Sequence, residues 1–479
     1  MAFAPNIGDL TEWSLEIDFL VAKEISGSPS WESGDNDLRW ACPAFEPNPA
    51  GACAKYCAEK LQEFAMPQVY ITGGIGFRQN AAEDSNFVTL EEVGSRTALP
   101  PSMCSWVCSP SPNAISLPTS PKTVDWVGVR LRNPFKPFEA LLPSSSPLPQ
   151  GSSSESSYAS SRSRILPQIA PSPPPKDWAP LEMEKSLGVL RRTVKMHSNS
   201  TCQVKIHYTL RPWGFDLSQA KKVLTICRIM EPELLLTLRP KVQDPERNHF
   251  LPITKSSNIA KFQAKFPEGY MSAPPDECKR RLGQTRPKSG PQADEMDQHI
   301  PTLNDSCLQE HLQLIWGATS LSELAGFIKS PDGETAIAIH APEGNLSPTM
   351  EFRYAVWHPQ AEGMAYWLRL IGRMFFFAME SSYAEFKFIV AEVAKNASTI
   401  SQVDEEERWK TLLTYNFDNT MCFHWGHACR QNQQEGGCLS PVNLDCQGIL
   451  EVDPRFVCIS VVERDSESSG SDSYPSTRS

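Results

Sequence analysis

The chain has 479 residues, of which 40% are hydrophobic, with a formal net charge of −11 and a pI near 5.4. This acidic balance argues against a nucleic-acid-binding surface, because phosphate neutralisation needs clustered Lys and Arg, and the longest basic run is Lys279-Arg280-Arg281. Acidic residues interrupt the apolar N-terminus, and Arg369 and Arg373 interrupt the most apolar later stretch. Neither a signal peptide nor a membrane span is therefore predicted. We expect an intracellular, cytoplasmic protein whose 14 cysteines are mostly free, buried thiols.

The first predicted strand is "WSLEIDFLVA", in which large apolar residues alternate with polar ones so that Glu16 and Asp18 share one face. "ACAKYCAEKLQEF" follows with the apolar spacing of a helix, and "QVYITGGIGF" is a strand that runs into glycines. The trio Gly73, Gly74 and Gly76 lacks the GKS/T ending of a phosphate loop and the GxGxxG spacing, so it predicts a turn. "DWVGVRLRNP" is a further strand.

The stretch "NSTCQVKIHYTLRPWGFDL" predicts a strand, a turn and the start of a helix. Lys205 and His207 point to one side of this strand. Two interpretations stay open, because the pair can present groups to a ligand or be the polar side of a half-buried strand. Gly214 lies in the turn, and Asp216 with Gln219 three residues later is typical of a capped helix, predicted over residues 216–238.

Towards the C-terminus, "EFRYAVWHP" predicts a strand with Glu351 and Arg353 on one face, and residues 363–380 predict a buried helix. The mixed order of strands and helices favours an α+β fold. A zinc site is disfavoured in "CFHWGHACRQNQQEGGC", because the stretch lacks Cys-x2-Cys pairs. Three segments have an unstructured composition, rich in Ser, Pro or charge, at residues 141–178, 268–300 and 463–479.

Six of these stretches, in order, resemble motifs of the fungal amidoligases, which are relatives of glutamine synthetase and glutamate-cysteine ligase among the carboxylate-amine ligases. The stretches are "SLEIDFLVA", "DWVGVRLRNP", "NSTCQVKIHY", "WGFDLSQAKKVL", "DPERNHFLPI" and "EFRYAVWHPQAEGMAYWLRL". The resemblance implies a curved, largely antiparallel sheet with helices on one face, like the catalytic domain of glutamine synthetase. Motifs lie on both sides of 141–178 and 268–300, so these segments are interpreted as insertions in one domain at 10–430, followed by a C-terminal extension at 431–479.

The resemblance also implies ATP-dependent formation of an amide from a carboxylate and an amine, with ATP and Mg²⁺ as cofactors. Magnesium prefers oxygen ligands, and arginines suit phosphate or carboxylate binding. The roles that the resemblance implies are metal ligands for Glu16, Asp18 and Glu351, catalytic roles for His207 and Arg353, and cofactor binding for Arg130, Lys205, Arg247 and Arg353.

Several positions depart from the family pattern. Arg130 stands where the family has Glu, Lys205 replaces the first His of H-V-H, and Gln203 replaces a glycine. "WVCSPSPNAI" also lacks the expected Asp. A unit charge 4 Å from another is worth about 4 kcal/mol at an effective dielectric of about 20, so Arg130 opposes a nearby divalent cation.

These departures leave three alternatives. Unidentified groups replace the lost ligands, or Arg130 and Lys205 hold polyphosphate without metal, or both cations pair with the acids in a salt-bridge cluster. Two functions follow. One is an active amidoligase acting on unknown carboxylate and amine substrates, and the other is an inactive descendant that binds a nucleotide or a protein partner.

Overall fold

A computed structural model describes the chain in sixteen segments. These are residues 10–26, 37–63, 69–71, 106–137, 182–199, 201–211, 214–239, 250–264, 291–340, 347–355, 362–400, 410, 412–413, 425–426, 444–445 and 448–453. The sequence predictions for 141–178, for 463–479 and for Gly73, Gly74 and Gly76 fall outside these segments, as do the Cys and His residues of the zinc-like stretch. None of the helices in the described segments is long and apolar enough to cross a membrane.

One nine-stranded sheet runs through the described residues, in the order β2-β3-β4-β1-β7-β9-β8, with β5 and β6 paired to β1 beside this path. Only the β2–β3 pair is parallel among the described strands, and the other pairs are antiparallel. The predicted α+β class with a largely antiparallel sheet is therefore confirmed. The strands are β1 (Thr11–Lys23), β2 (Val69–Ile71), β3 (Trp106–Pro110), β4 (Asp125–Arg132), β5 (Lys136–Pro137), β6 (Met196–His197), β7 (Val204–Leu210), β8 (Ile337–His340) and β9 (Thr349–Phe352).

The described helices are mostly amphipathic and pack beside the sheet or on each other. A π-helical turn at Glu231–Leu235 extends the third of them. The helices are α1 (Pro49–Glu63), α2 (Glu182–Thr193), α3 (Leu217–Met230), α4 (Ile253–Ser256), α5 (Asn258–Ala264), α6 (Pro291–His299), α7 (Ser306–Gly317), α8 (Leu321–Ile328), α9 (Glu362–Glu380) and α10 (Tyr383–Ile400).

The alternation of β1 separates the two faces of the sheet. Leu15, Ile17 and Phe19 are fully buried in the main hydrophobic core. On the same face, the ring of Tyr208 stacks on Phe375 of α9 with centroids 5.2 Å apart. Helix α1 contacts β3 and β4, and α9 contacts both α3 and β7. The apolar face is thus the one covered by helices, and it directs Glu16 and Asp18 to the opposite side.

The opposite face changes character along β1. Beyond Asp18 it becomes apolar, where Leu20 and Ala22 pack with Trp126 and Ile449 in a second, smaller cluster. Ile449 belongs to the sequence predicted as a C-terminal extension, and the next residue donates its backbone N–H to the carbonyl of Met196 at 2.8 Å. The described end of the extension therefore packs on the sheet and closes one end of the polar face.

Helix α3 begins as the sequence predicts. The Asp216 side chain accepts from the backbone N–H of Gln219 at 2.7 Å, and the Gln219 side chain accepts from the backbone N–H of Asp216 at 2.9 Å. Gly214 just before it has φ 76°, and a Cβ there would lie 2.2 Å from Cδ of Pro348. The turn between β7 and α3 thus needs glycine both for its left-handed backbone and for space.

The prediction of an unstructured segment at 268–300 is wrong for its last part. Residues Pro291–His299 form α6, which contacts α7 and α10. The buried ring of His299 stacks on Trp316 with centroids 4.4 Å apart. The prediction rested on the high content of Pro and charged residues. Pro is favourable at the first position of a helix, however, and packing against α7 and α10 stabilises α6. The described cysteines are free, and all except Cys307 are buried, as expected.

Candidate functional site

Four adjacent strands, β4, β1, β7 and β9, bring charged side chains to the face opposite the helices. In antiparallel pairs, directly opposed residues lie on the same face. Asp18 is opposite Arg130, Glu16 is opposite Lys205, and His207 is opposite Glu351. We refer to this surface as the charged face, formed by Glu16, Asp18, Arg130, Arg132, Lys205, His207, His340, Glu351 and Arg353.

Two cations neutralise the acids of β1. Nε of Arg130 lies 2.8 Å from Oδ1 of Asp18 and 3.0 Å from Oε1 of Glu16. Nζ of Lys205 lies 3.0 Å from the same Glu16 oxygen. The acids and Lys205 are buried, whereas the Arg130 side chain is 21% exposed. The two positions that depart most in charge from the family pattern therefore contact the acids that the resemblance assigns to metal.

The electrostatics of the site favour the ionised forms of Glu16 and Arg130. Burial by itself would raise the pKa of Glu16, but attraction to Lys205 and Arg130 outweighs burial and lowers it below its usual value. Burial would lower the pKa of Arg130, yet its hydrogen bond to Asp18 and the charge of Glu16 raise it. Glu16 and Asp18 do not fit a magnesium site in this arrangement, because a guanidinium contacts both carboxylates and an ammonium contacts Glu16.

A second group lies on β7, β8 and β9. Nε2 of His340 is 2.8 Å from Oε2 of Glu351, and Arg353 donates from Nε to the other oxygen of Glu351. Nη1 of Arg353 also donates to the carbonyl of Thr335 at 2.7 Å. His207 is beside them, with its ring centroid 6.3 Å from that of His340. His340 has a side chain that is 51% exposed, so it connects this otherwise buried group to solvent.

The pKa values of Glu351 and His207, the two titratable neighbours of His340, are both lowered. Burial would raise the pKa of Glu351, but the hydrogen bond from His340 and the positive charge of Arg353 hold it well below the ordinary value. Burial lowers the pKa of His207 to about 4, against the attraction of Glu351 and Glu16. At neutral pH we therefore expect an ionised Glu351 next to a neutral His207.

His340 is the residue of this group that the sequence predictions missed. The stretch "IAIH" gives a strand of only four residues, with one His at its end, and nothing in that pattern indicates chemistry. Only the strand pairing identifies His340 as part of this group. β8 pairs with β9 so that Ala338 is opposite Glu351, and His340, two residues further on, lies on the same face. One ligand atom from each of His207, His340 and Glu351 can be chosen so that all lie within 4.8 Å of one another.

Of the residues predicted to have roles, Glu16, Asp18, Arg130, Lys205, His207, Glu351 and Arg353 lie together on the charged face. Arg247 lies outside the described residues. Arg353 points its guanidinium at Glu351 and Thr335, and it is buried. Comparisons of the chain with protein-family models, with curated proteins and with solved structures found no match.

Proposed function

We propose that the protein is a catalytically inactive descendant of the amidoligase fold, with a sheet of the glutamine synthetase type, that binds an anionic ligand on the charged face. One observation carries this proposal, namely the pairing of Glu16 with both Arg130 and Lys205. Ligands of a divalent cation must be free to face it. Here a cation of the protein itself lies where the amidoligase resemblance would place magnesium.

The partial exposure of Arg130 supports an anion as the ligand. The cations Arg130, Arg132, Lys205 and Arg353 are matched in number by the carboxylates Glu16, Asp18 and Glu351 together with Glu334, which lies 3.6 Å from Arg353. Arg130 and His340 keep part of their side chains in contact with solvent. A guanidinium binds carboxylates and phosphates through a planar pair of donors, so a partly exposed Arg130 can contact a ligand while it keeps Asp18 as a partner.

Calorimetric titration with ATP and with pyrophosphate tests this proposal. We expect binding in the presence of a chelator, unchanged by millimolar magnesium and weakened at least tenfold by Arg130→Gln. Arg211→Gln is the matched control, because Arg211 also pairs with a β1 acid, Glu12, at the other end of the strand. Binding that requires magnesium, or that both variants weaken equally, would overturn the proposal.

Active ligation is the second candidate. One observation favours it. The strands that resemble family motifs, β4, β1, β7 and β9, are adjacent in the sheet and carry their polar residues on one face. The test is phosphate release from ATP with magnesium and a mixture of amino acids and amines. Release abolished by Arg353→Gln would support ligation over simple binding.

A further inference from the structure

We propose that His207, His340 and Glu351 form a binding site for a divalent transition-metal ion of the zinc class. The site adjoins Glu16, which lies 3.8 Å from His207, but it uses neither Glu16 nor Asp18 as a ligand, and it does not depend on anion binding by Arg130. The three residues come from three neighbouring strands, β7, β8 and β9. The fold therefore holds them in fixed register, which is the arrangement that a preformed metal site needs.

The first support is the unused nitrogen of His207. Its Nε2 is buried and has no hydrogen-bond partner among the described residues. The nearest acid oxygen, Oε2 of Glu16, is 3.8 Å away, which is too far for a hydrogen bond. Buried polar atoms are nearly always satisfied, so an unpartnered ring nitrogen on a His that lies beside Glu351 and a second His indicates a missing ligand.

The second support is the spacing of the ligand atoms. Bonds of about 2.0–2.1 Å place tetrahedral ligands on the order of 3.4 Å apart. The separation of 2.8 Å between His340 and Glu351 must widen, and the largest separation in the group, at most 4.8 Å, must shorten. Movements of about 1 Å suffice, and His340 can make them because it is half-exposed at the end of β8.

The ligand set determines the class of metal. Two imidazoles and one carboxylate, with a fourth position open to solvent, is the set found in catalytic zinc sites, whereas magnesium prefers oxygen ligands. Arg353 contacts Oε1 of Glu351 and leaves Oε2 towards His340. Such a second contact orients a metal-binding carboxylate. On metal binding, the proton between His340 and Glu351 moves to Nδ1 of His340 or to solvent.

Titration with Co²⁺, followed by its visible absorption, tests the site. We expect one equivalent to bind with a tetrahedral spectrum, Zn²⁺ to displace it and Mg²⁺ not to. His340→Gln should weaken binding by at least about 10–100-fold, since this is the typical cost of losing a group that only supports a ligand, and His340 is a ligand itself. The matched control is His311→Gln, which removes a buried His from α7 and should leave binding unchanged.

A Cys429→Ser/Cys438→Ser variant separates this site from the Cys and His stretch near the C-terminus. Retained Co²⁺ binding in that variant, without a thiolate charge-transfer band in the parent, supports the proposal. Absence of binding to the parent, or binding that survives His340→Gln and disappears in the cysteine variant, overturns it. These titrations contain no phosphate, so their outcome is independent of the ATP and pyrophosphate measurements.

Discussion

Arg130 is the residue on which the charge balance of the sheet depends. One guanidinium contacts two carboxylates of β1 that are buried, and Asp18 is only 1% exposed. Bringing two acids out of water is costly, and the cost is offset only while the cation remains. Replacing one partner of such a group is therefore more damaging than replacing the whole group by apolar residues.

We predict that the double variant Arg130→Glu/Lys205→His is less stable than the parent without metal, by about 3–5 kcal/mol, because it leaves buried like charges unpaired. Millimolar magnesium should recover the loss, since the ion binds only the folded form. Urea denaturation with and without magnesium measures both effects. The idea that cations displaced a metal fails if the parent is strongly stabilised by magnesium and ATP. A double variant that does not respond to magnesium would place these residues away from any metal site.

His311 gives a pH dependence that is remote from the charged face. Burial and, to a smaller extent, the charge of Arg228 lower its pKa from an ordinary 6.5 to about 4, against the opposing effect of Asp305. Arg228 donates to Nδ1 at 3.1 Å, so the folded protein holds His311 neutral. Below pH 6.5 the unfolded chain binds the extra proton, so stability falls as the pH drops from about 6.5 to about 4.

We predict that His311→Gln removes this part of the pH dependence, because Gln can accept from Arg228 but does not titrate. When both proteins are measured from pH 7.5 to 4, the free energy of unfolding of the parent should fall relative to that of the variant as the pH falls. Parallel curves across that range would contradict the assignment of His311 as a neutral acceptor.

At the residue scale the sequence predicted which residues share a face and gave pairing of Arg130 and Lys205 with the acids as one alternative, but it did not predict which cation contacts which acid. The period-two alternation of a strand was sufficient to predict that Glu16 and Asp18 share one face of their strand, and that Lys205 and His207 share one face of theirs. The contact of Lys205 with Glu16 depends on a register between strands that are far apart in sequence. His340 joins the group only through that same long-range pairing, which local periodicity does not encode.

At the scale of elements, the end of α3 shows where a continuous helical pattern breaks. The sequence predicted one helix over 216–238, whereas a π-helical turn begins at Glu231. Pro232 has no N–H to donate, and the backbone N–H of Leu236 bonds to the carbonyl of Glu231 at 3.0 Å, five residues back. This turn directs the buried Glu231 carboxylate to Tyr354, whose hydroxyl donates to it at 2.7 Å.

Two buried tyrosines allow this link to be tested. Tyr354 donates to a carboxylate, while Tyr208 donates to the backbone carbonyl of Leu368 at 2.7 Å. Hydrogen bonds to charged groups contribute about 1.5–3 kcal/mol and neutral ones about 1 kcal/mol. We therefore predict that Tyr354→Phe destabilises the protein more than Tyr208→Phe, measured by chemical denaturation at neutral pH. Equal losses would mean that Glu231 is protonated in the folded protein.

At the scale of the whole molecule, one sheet joins parts of the chain on both sides of the predicted insertions. β1 and β4 precede residues 141–178, while β7 and β9 follow them, and all four are neighbours. Residues 448–453 also pack on this core, where the backbone N–H of Leu450 donates to the carbonyl of Met196 of β6 at 2.8 Å and Nε of Arg191 in α2 donates to the carbonyl of Glu451 at 2.8 Å. The prediction of a single domain rests on this shared core, and the boundary at residue 430 does not separate the packed residues 448–453 from it.

We predict that limited proteolysis cuts first within 141–178 and 265–290, and that the fragments remain associated, because each contributes strands or helices to one core. Size-exclusion chromatography of the nicked protein should give one peak under native conditions and separate fragments in denaturant. Two native peaks would mean two domains, and early cleavage within Pro291–His299 would argue against the packing of α6.

The central position of β1 has a consequence for synthesis on the ribosome. β1 is the first strand of the sheet along the chain, yet its long partners are β4 and β7, and the second of these ends at Leu210. At about 5–20 residues per second, the nascent chain carries an apolar β1 without its β7 partner for roughly 10–40 s, and without β4 for the first part of that time. Thirteen strand residues with one strongly apolar side are a target for chaperones in that interval. Ribosome-bound chains that end before Leu210 should therefore be retained by a chaperone, and chains that extend past β7 should be released.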